Sequence, residues 1–252
     1  MSFQFQADSG YQRPSPSLEP RLEDHGKVIV DEYSVIREKY DAPKYPVVLA
    51  HGLLGFDELR LAGRYLPGVQ YWRGIKEALT ARGIEVITAT VPPSGSIEAR
   101  AEELARDIEV AERLPQIYYA LNRLKVETGA FEQLTRKYMT ETFNPKVPDV
   151  DDVRYFSYGA AFEPSIWSAF RLSHRILSNI EGPNDGLVSV SSSRWGGETG
   201  YKGTLTGVSH LDLINWTNRL KWLAGEVTGN RRKFNAIAFY LDIADMLAKE
   251  GL

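Results

Sequence analysis

The run Pro46-Val47-Val48-Leu49-Ala50, followed by His51-Gly52-Leu53-Leu54-Gly55, constrains this chain more than any other stretch. A short apolar run with β-branched residues, closed by glycines, reads as a buried strand that ends in a tight loop. Glycines in such a loop let backbone N–H groups turn toward a ligand with no Cβ in the way. N–H groups presented like this can hold a developing oxyanion. The loop therefore predicts an acyl-transfer site, and with it a serine nucleophile further along the chain.

The pattern after the loop is that of an α/β protein. A helix is expected from Val69 to Arg82, with Ile75, Ala78, Leu79 and Arg82 on one face and Gly83 as its stop. Ile84 to Thr90 reads as a second strand, broken by Pro92-Pro93. A second helix follows from near Ser96 to about Val110, with Ile97, Ala101, Leu104, Ala105 and Ile108 on one stripe. Strand, helix, strand, helix in this order means a parallel sheet with right-handed crossovers. Then the alternation stops. Pro115 opens another helical pattern with Ile117, Leu121 and Leu124 on one face, and a further helix runs from Phe131 to Met139. Strand patterns return only at Val153–Tyr158 and Gly186–Val190. The last helix spans Ala236 to Lys249 and packs Ile237, Tyr240, Leu241, Ala244 and Leu247.

The 252 residues fit one α/β domain, taken as 27–252, behind a disordered or loosely draped arm at 1–26 rich in Pro, Ser and charge. A net charge of −3 gives no sign of a nucleic-acid partner. No stretch approaches ~18 consecutive apolar residues, so no transmembrane segment is expected. The arm lacks the basic start and apolar segment of a secretory signal, which makes the cytoplasm the expected compartment. Cysteine is absent, which excludes disulfides, a thiol nucleophile and thiolate metal sites. An imidazole in any site must come from His25, His51, His174 or His210.

Two segments carry candidate chemistry. Asn184-Asp185-Gly186-Leu187-Val188 places an acid in a glycine turn beside a strand, although an Asp-Gly pair also makes a plain turn. Gly207-Val208-Ser209-His210 places a histidine just before an apolar helix start, where a structural histidine is an equal reading. Together, glycine loop, then Asp, then His keep the chain order of α/β-hydrolases. In that order His210 serves as general base and acid, and Asp185 fixes its tautomer and stabilises the imidazolium.

The segments PVVLAHGLLGFDELRLAG, YWRGI, VPPSGSIEARAEEL, NDGLVSVSSSRWG and GVSHLDLINW resemble the true-lipase family, the Pseudomonas and Burkholderia type with its fungal relatives. The resemblance covers roughly residues 45–110 and 112–223. It implies an α/β-hydrolase fold, a mostly parallel sheet flanked by helices. It also implies hydrolysis of triacylglycerols or related carboxylic esters, a lipid or ester substrate, and contact with a lipid interface. Residue by residue, it implies the Leu53 N–H as an oxyanion donor, His51, Gly52 and Gly55 as loop support, Asp185 as the triad acid and His210 as the triad base. The bacterial relatives carry a structural calcium ligand in an H-x-D pattern, matched here by Asp212, with Glu163 as a candidate second carboxylate. An Asp that favours the first turn of a helix is the plainer reading of Asp212. No other cofactor is implied. Trp167, Phe170, Leu172, Ile176 and Leu177 suit either an acyl-chain groove or a core helix, and residues 112–145 would hold part of a lid.

The departure from the family is as informative as the match. The family places a strand, a G-H-S-x-G elbow, a helix and another strand after the helix at 97–110. Here that helix runs straight into Ala111-Glu112-Arg113-Leu114-Pro115. No serine has Gly two before it and Gly or Ala two after it; Ser209 comes nearest and is the neighbour of His210 itself. Such elements take on the order of 30 residues. Several dozen residues are therefore expected to be absent at 110/111, including the nucleophile and the second oxyanion donor that follows it, with a divergent elbow as the alternative reading. The chain is expected to be inactive as an ester hydrolase, with a non-catalytic lipid- or fatty-acid-binding pseudoenzyme as the alternative. The surviving halves would close up with strand 47–50 beside strand 154–158. Losing two central strands costs many kcal/mol against a typical stability of ~5–15 kcal/mol, which predicts a marginal or misfolded product.

Overall fold

The structure, a computed structural model, describes residues 26–52, 55, 58–59, 69–113, 133, 135–216 and 234–252. The first half contains β1 (Val28–Ile29), β2 (Val47–Ala50), β3 (Glu58–Leu59), β4 (Val69–Gln70), α1 (Ile75–Thr80), β5 (Val86–Ala89) and α2 (Ile97–Arg113). Then come α3 (Arg136–Tyr138), a π-helical turn (Met139–Phe143) and α4 (Asn144–Lys146). The second half contains β6 (Ser157–Ala161), α5 (Arg171–Glu181), α6 (Val190–Ser193), α7 (Gly197–Gly200), β7 (Tyr201–Thr206), α8 (His210–Leu213) and α9 (Ala236–Lys249). The arm up to 25, the helical pattern at Pro115–Leu124 and much of the lid segment lie outside the described residues.

Among the described residues the parallel sheet is split. β2 pairs only with β5, Val47 opposite Val86 and Ala50 opposite Ala89. β7 is the centre of a three-stranded sheet between β1 and β6, all parallel. The expectation that 47–50 would lie beside 154–158 is therefore corrected: the two half-sheets are not hydrogen-bonded to each other. α2 runs unbroken across 110/111 to Arg113, so one helix continues where the family has a strand.

Two cores match the two half-sheets. Leu49, Trp72, Ile75, Leu79, Ile84 and Ile214 form one, under β2 and β5. Ile29, Ala160, Leu205 and Val208 form the other, under the three-stranded sheet. α9 joins them: Ala236, Leu241 and Ala244 belong to the first cluster and Phe239 to the second. Its bounds are those the apolar spacing predicts, and Asn235 caps it by accepting the Ile237 N–H at 3.0 Å.

Other elements differ from expectation, each for a local reason. The helix expected from Val69 starts only at Ile75, because Gly74 takes a left-handed φ of 81° and Glu77 accepts its N–H at 2.7 Å. Val69 and Gln70 instead pair antiparallel with β3. The strand expected at 153–158 lies at 157–161. There the small residues fit against β7: a Cβ on Gly159 would come within 2.5 Å of the Tyr201 hydroxyl oxygen. The stripe on α2 is only partly covered, with Ala101 and Ala105 exposed, while Asp107 is buried. Asp107 accepts the Thr90 N–H at 2.7 Å and so ties α2 to the end of β5.

Candidate functional site

The candidate residues sit beyond the C-terminal ends of parallel strands, the usual place for sites in α/β sheets. The segment after β6 leads to Asp185, and the short turn after β7 leads to His210. The Gly207 N–H donates to the Ala161 carbonyl at 2.7 Å, and the Phe162 N–H donates to the Asn184 carbonyl at 3.2 Å. The first bond joins the turn after β7 to the end of β6, and the second folds the Asp185 segment back onto that same strand end.

Asp185 does not start a strand, as Gly186–Val190 was expected to. Its Oδ1 accepts the N–H groups of Leu187 (2.9 Å) and Val188 (2.7 Å), closing an Asx-type turn before the N-cap Ser189 of α6. Oδ2 remains for His210, whose Nδ1 lies 2.8 Å away. The His210 N–H also donates to the Asp185 carbonyl at 2.9 Å. Asp185 is buried, and the His210 side chain is about a third exposed. The pair is held at ring and backbone alike, with Nε2 as the ring nitrogen left for chemistry. Among the described residues, no hydroxyl group is hydrogen-bonded to the His210 ring. The nearest serine in sequence, Ser209, has its hydroxyl donated to Asp212 at 2.6 Å.

Asn184 is the residue the sequence reading passed over. It is fully buried, and its Nδ2 donates to the His174 carbonyl (3.3 Å), the Ser178 hydroxyl (3.0 Å) and the Gly182 carbonyl (3.1 Å). Its Oδ1 accepts the Gly186 N–H at 2.9 Å. It thereby locks the Asp185 turn onto α5. An Asn before an Asp-Gly pair is a turn signal, but its buried amide bonds depend on α5 being nearby.

The glycine loop follows β2 as expected. His51 is buried, with Nδ1 3.0 Å from the Gly52 carbonyl, and the Gly55 N–H donates to that same carbonyl at 3.2 Å. A Cβ on Gly55 would stand 2.6 Å from His51 Nδ1, so the ring requires glycine there. No described atom lies within 4 Å of a Cβ at Gly52. Leu53, the expected oxyanion donor, lies outside the described residues. Arg100 was also missed: its guanidinium donates to the His51 carbonyl at 2.5 Å and to the Pro92 carbonyl, clamping the loops after β2 and β5. Burial pulls Arg100 below its ordinary value and pushes the neighbouring Tyr71 phenol up.

Asp212 takes the plainer of its two readings in geometry. Its Oδ2 accepts both the N–H (2.9 Å) and the hydroxyl (2.6 Å) of Ser209, the capping box of α8. Among the described residues no three His, Asp or Glu side chains gather to hold a cation, and Glu163 is exposed. Calcium needs several oxygen ligands, and among the described residues no such group forms around Asp212. The expected acyl groove also differs: Trp167, Leu172 and Ile176 are exposed, while Phe170 packs on Gly186. A cleft of about 480 Å³ lies elsewhere, lined by Asp149, Arg154, Phe156, Lys202 and Glu250 among others. Its cations are already paired with Glu250, Arg154 at 3.2 Å and Lys202 at 3.5 Å.

No protein-family model matches the sequence. Individual proteins do. Triacylglycerol lipase 2 of Saccharomyces cerevisiae is 30% identical over an alignment of 323 residues, covering 89% of this chain and 97% of the yeast protein. A triacylglycerol lipase of Pseudomonas fragi is 34% identical over 152 residues, covering 59% of this chain and 48% of its own length. Among solved structures, a Staphylococcus hyicus lipase aligns with a TM-score of 0.55 at 14% identity, covering 84% of this chain and 98% of that one. A mature Bacillus licheniformis lipase gives 0.53 at 16%, covering 76% of this chain and 94% of that one. The structures share the α/β-hydrolase fold with this chain. With the glycine loop, the Asp185–His210 pair and the yeast match across nearly the whole length, the chain belongs to the triacylglycerol lipase family, the true lipases of the α/β-hydrolase fold.

Proposed function

We propose that this chain is a lipase scaffold that retains the acid–base pair and lacks the group that attacks. Its family hydrolyses carboxylic esters of lipids. Asp185 and His210 take the acid and base positions, and the loop at 51–55 the oxyanion position. The observation that carries the reading is His210 itself: its Nδ1 is bonded to Asp185, and among the described residues no hydroxyl is bonded to the ring. The alignment with the yeast enzyme supports it. At 323 positions it is longer than the 252 residues of this chain, so the relative carries several dozen residues that face a gap here. The edges of the two half-sheets that are unpaired among the described residues, and the unbroken α2, favour 110/111 as the place of that gap.

Loss of a triad serine leaves only ~10³–10⁴-fold catalysis over water from the remaining groups. Here the second oxyanion donor, the N–H after the nucleophile, goes with it. Incubation of the purified chain with a fluorophosphonate probe tests the reading. No serine label and no turnover of a p-nitrophenyl ester are expected. A labelled serine in the mass spectrum would mean a nucleophile in an unfamiliar setting and would end the proposal. A second reading, a fatty-acid-binding pseudoenzyme, draws support from the exposed apolar residues before and along α5. Saturable binding of a fluorescent fatty acid without labelling is its expected signature.

A further inference from the structure

α5 is three turns long, and His174 is its buried residue. Its outer face is apolar where a surface helix is normally polar. Leu172, Ile176 and Ile180 stand four residues apart, on one side of the helix, and are 73%, 50% and 66% exposed. Trp167, just before the helix, is 89% exposed and has Ile166 beside it. Single exposed apolar side chains are ordinary, but a contiguous stripe of them marks an interaction surface.

The charge beside the stripe selects the partner. Arg171 and Arg175 are exposed next to Leu172 and Ile176, and neither is paired with a carboxylate among the described residues. The helix has one acid, Glu181, and it accepts the Ser189 hydroxyl. The face is therefore locally positive on a chain whose net charge is −3. A second copy docked by the same face would set these arginines near their own mates. A surface of anionic head groups would complement them instead. Apolar stripe, flanking arginines and a terminal tryptophan make an amphipathic helix suited to the head-group region of a bilayer.

We propose that α5 is a docking surface for membranes containing anionic phospholipid. This deepens the lipid reading above and rests on it only for what lies beside the docked helix. The docked helix carries the candidate site with it. Asn184 bonds α5 at the His174 carbonyl and at Ser178, and Phe170 packs so closely on Gly186 that a Cβ there would be 2.7 Å away. The Asp185 turn then sits behind the docked helix, on the His174 side of α5 and away from the stripe.

Sedimentation of the full chain with vesicles of phosphatidylcholine, with or without phosphatidylglycerol, tests this. The expected preference for the anionic vesicles is roughly tenfold or more, since each basic side chain at such a surface adds about 1 kcal/mol. Arg171→Glu/Arg175→Glu should abolish that preference. Leu172→Ser/Ile176→Ser/Ile180→Ser should abolish binding to both kinds of vesicle, with an unchanged circular dichroism spectrum. Equal binding to the two kinds of vesicle, or full binding by the triple variant, overturns the proposal. So does a wild-type dimer that the triple variant dissociates, with no vesicle binding by either; a second copy would then cover the face. Serine labelling would sink the inactive-scaffold reading without altering any of these vesicle results.

Discussion

At the scale of single residues, the buried carboxylates do different jobs with the same chemistry. Asp185 uses one oxygen for its own turn and the other for His210. Asp185→Ala should cost about 2–3 kcal/mol in a urea titration, since it leaves the turn N–H groups and the imidazole without their acceptor. It should leave ester turnover at its background level, whereas replacing the acid by Asn in a working triad lowers kcat by about 10⁴. Asp245 is purely structural. Burial pushes its carboxyl up, but the Asp41 N–H (2.8 Å), Lys249 (2.7 Å) and Arg37 (3.0 Å) outweigh burial and hold it at about 2, below the ordinary 3.8. The folded chain therefore binds this proton more weakly than the unfolded chain does. The stabilisation is complete above about pH 4 and fades as the pH falls toward 2. Asp245→Asn should cost about 1–2 kcal/mol at neutral pH, discounted because Arg37 and Lys249 are half exposed to solvent. The difference between variant and wild type should shrink over that acid window in denaturant titrations.

At the scale of elements, the two half-sheets have unequal support. β7 is paired on both sides, to β1 and to β6, and its residues Gly203, Thr204 and Leu205 are buried. Among the described residues β2 is paired on one side only, and it relies on α1 and α9 beneath it. Sheets of two strands are marginal unless something packs against them. Amide exchange should therefore be slowest in β7 and markedly faster at β2, the strand that leads into the glycine loop. Equal protection of the two strands would show that β2 has a second neighbour in solution. α2 shows the same thinness from the other side: it lies against a sheet two strands wide, and its apolar stripe is partly left in solvent.

At the scale of the whole molecule, α9 is what makes one body of two cores. Its Leu241 and Ala244 enter the cluster under β2 and β5, and its Phe239 enters the cluster under β7. Phe239 meets Tyr33, Tyr158, Phe234 and Tyr240 in edge-on or tilted ring contacts at 5.0–5.6 Å. Leu241→Ala should cost about 2–5 kcal/mol, a large share of the ~5–15 kcal/mol typical of a domain. A helix shared by both cores transmits that loss to each, so the expected thermal trace is one transition displaced downward. Two separate transitions would mean that the half-sheets melt independently. The expectation of a marginal product is tested by the same trace, since a sharp wild-type melt above ~45 °C would refute it.

The sequence by itself determined whatever rests on neighbours along the chain. Periodic apolar spacing set the approximate bounds of α9, a β-branched run before glycines set β2 and its loop, and the order of Asp185 and His210 was visible before any distance was known. The absence of a G-x-S-x-G motif could be read the same way, because such a motif is local. Only the tertiary structure decided what depends on segments distant in sequence. The 2.8 Å bond across the 25 positions from Asp185 to His210 needs β6 and β7 side by side. The hold of Arg100 on the His51 carbonyl needs α2 to return over the end of β2. Local pattern could not show that the half-sheets stay apart, because strand pairing is chosen among all edges at once. Nor could it show that an amphipathic stripe such as that of α5 would face solvent, since periodicity tells which side of a helix is apolar and not what lies opposite it.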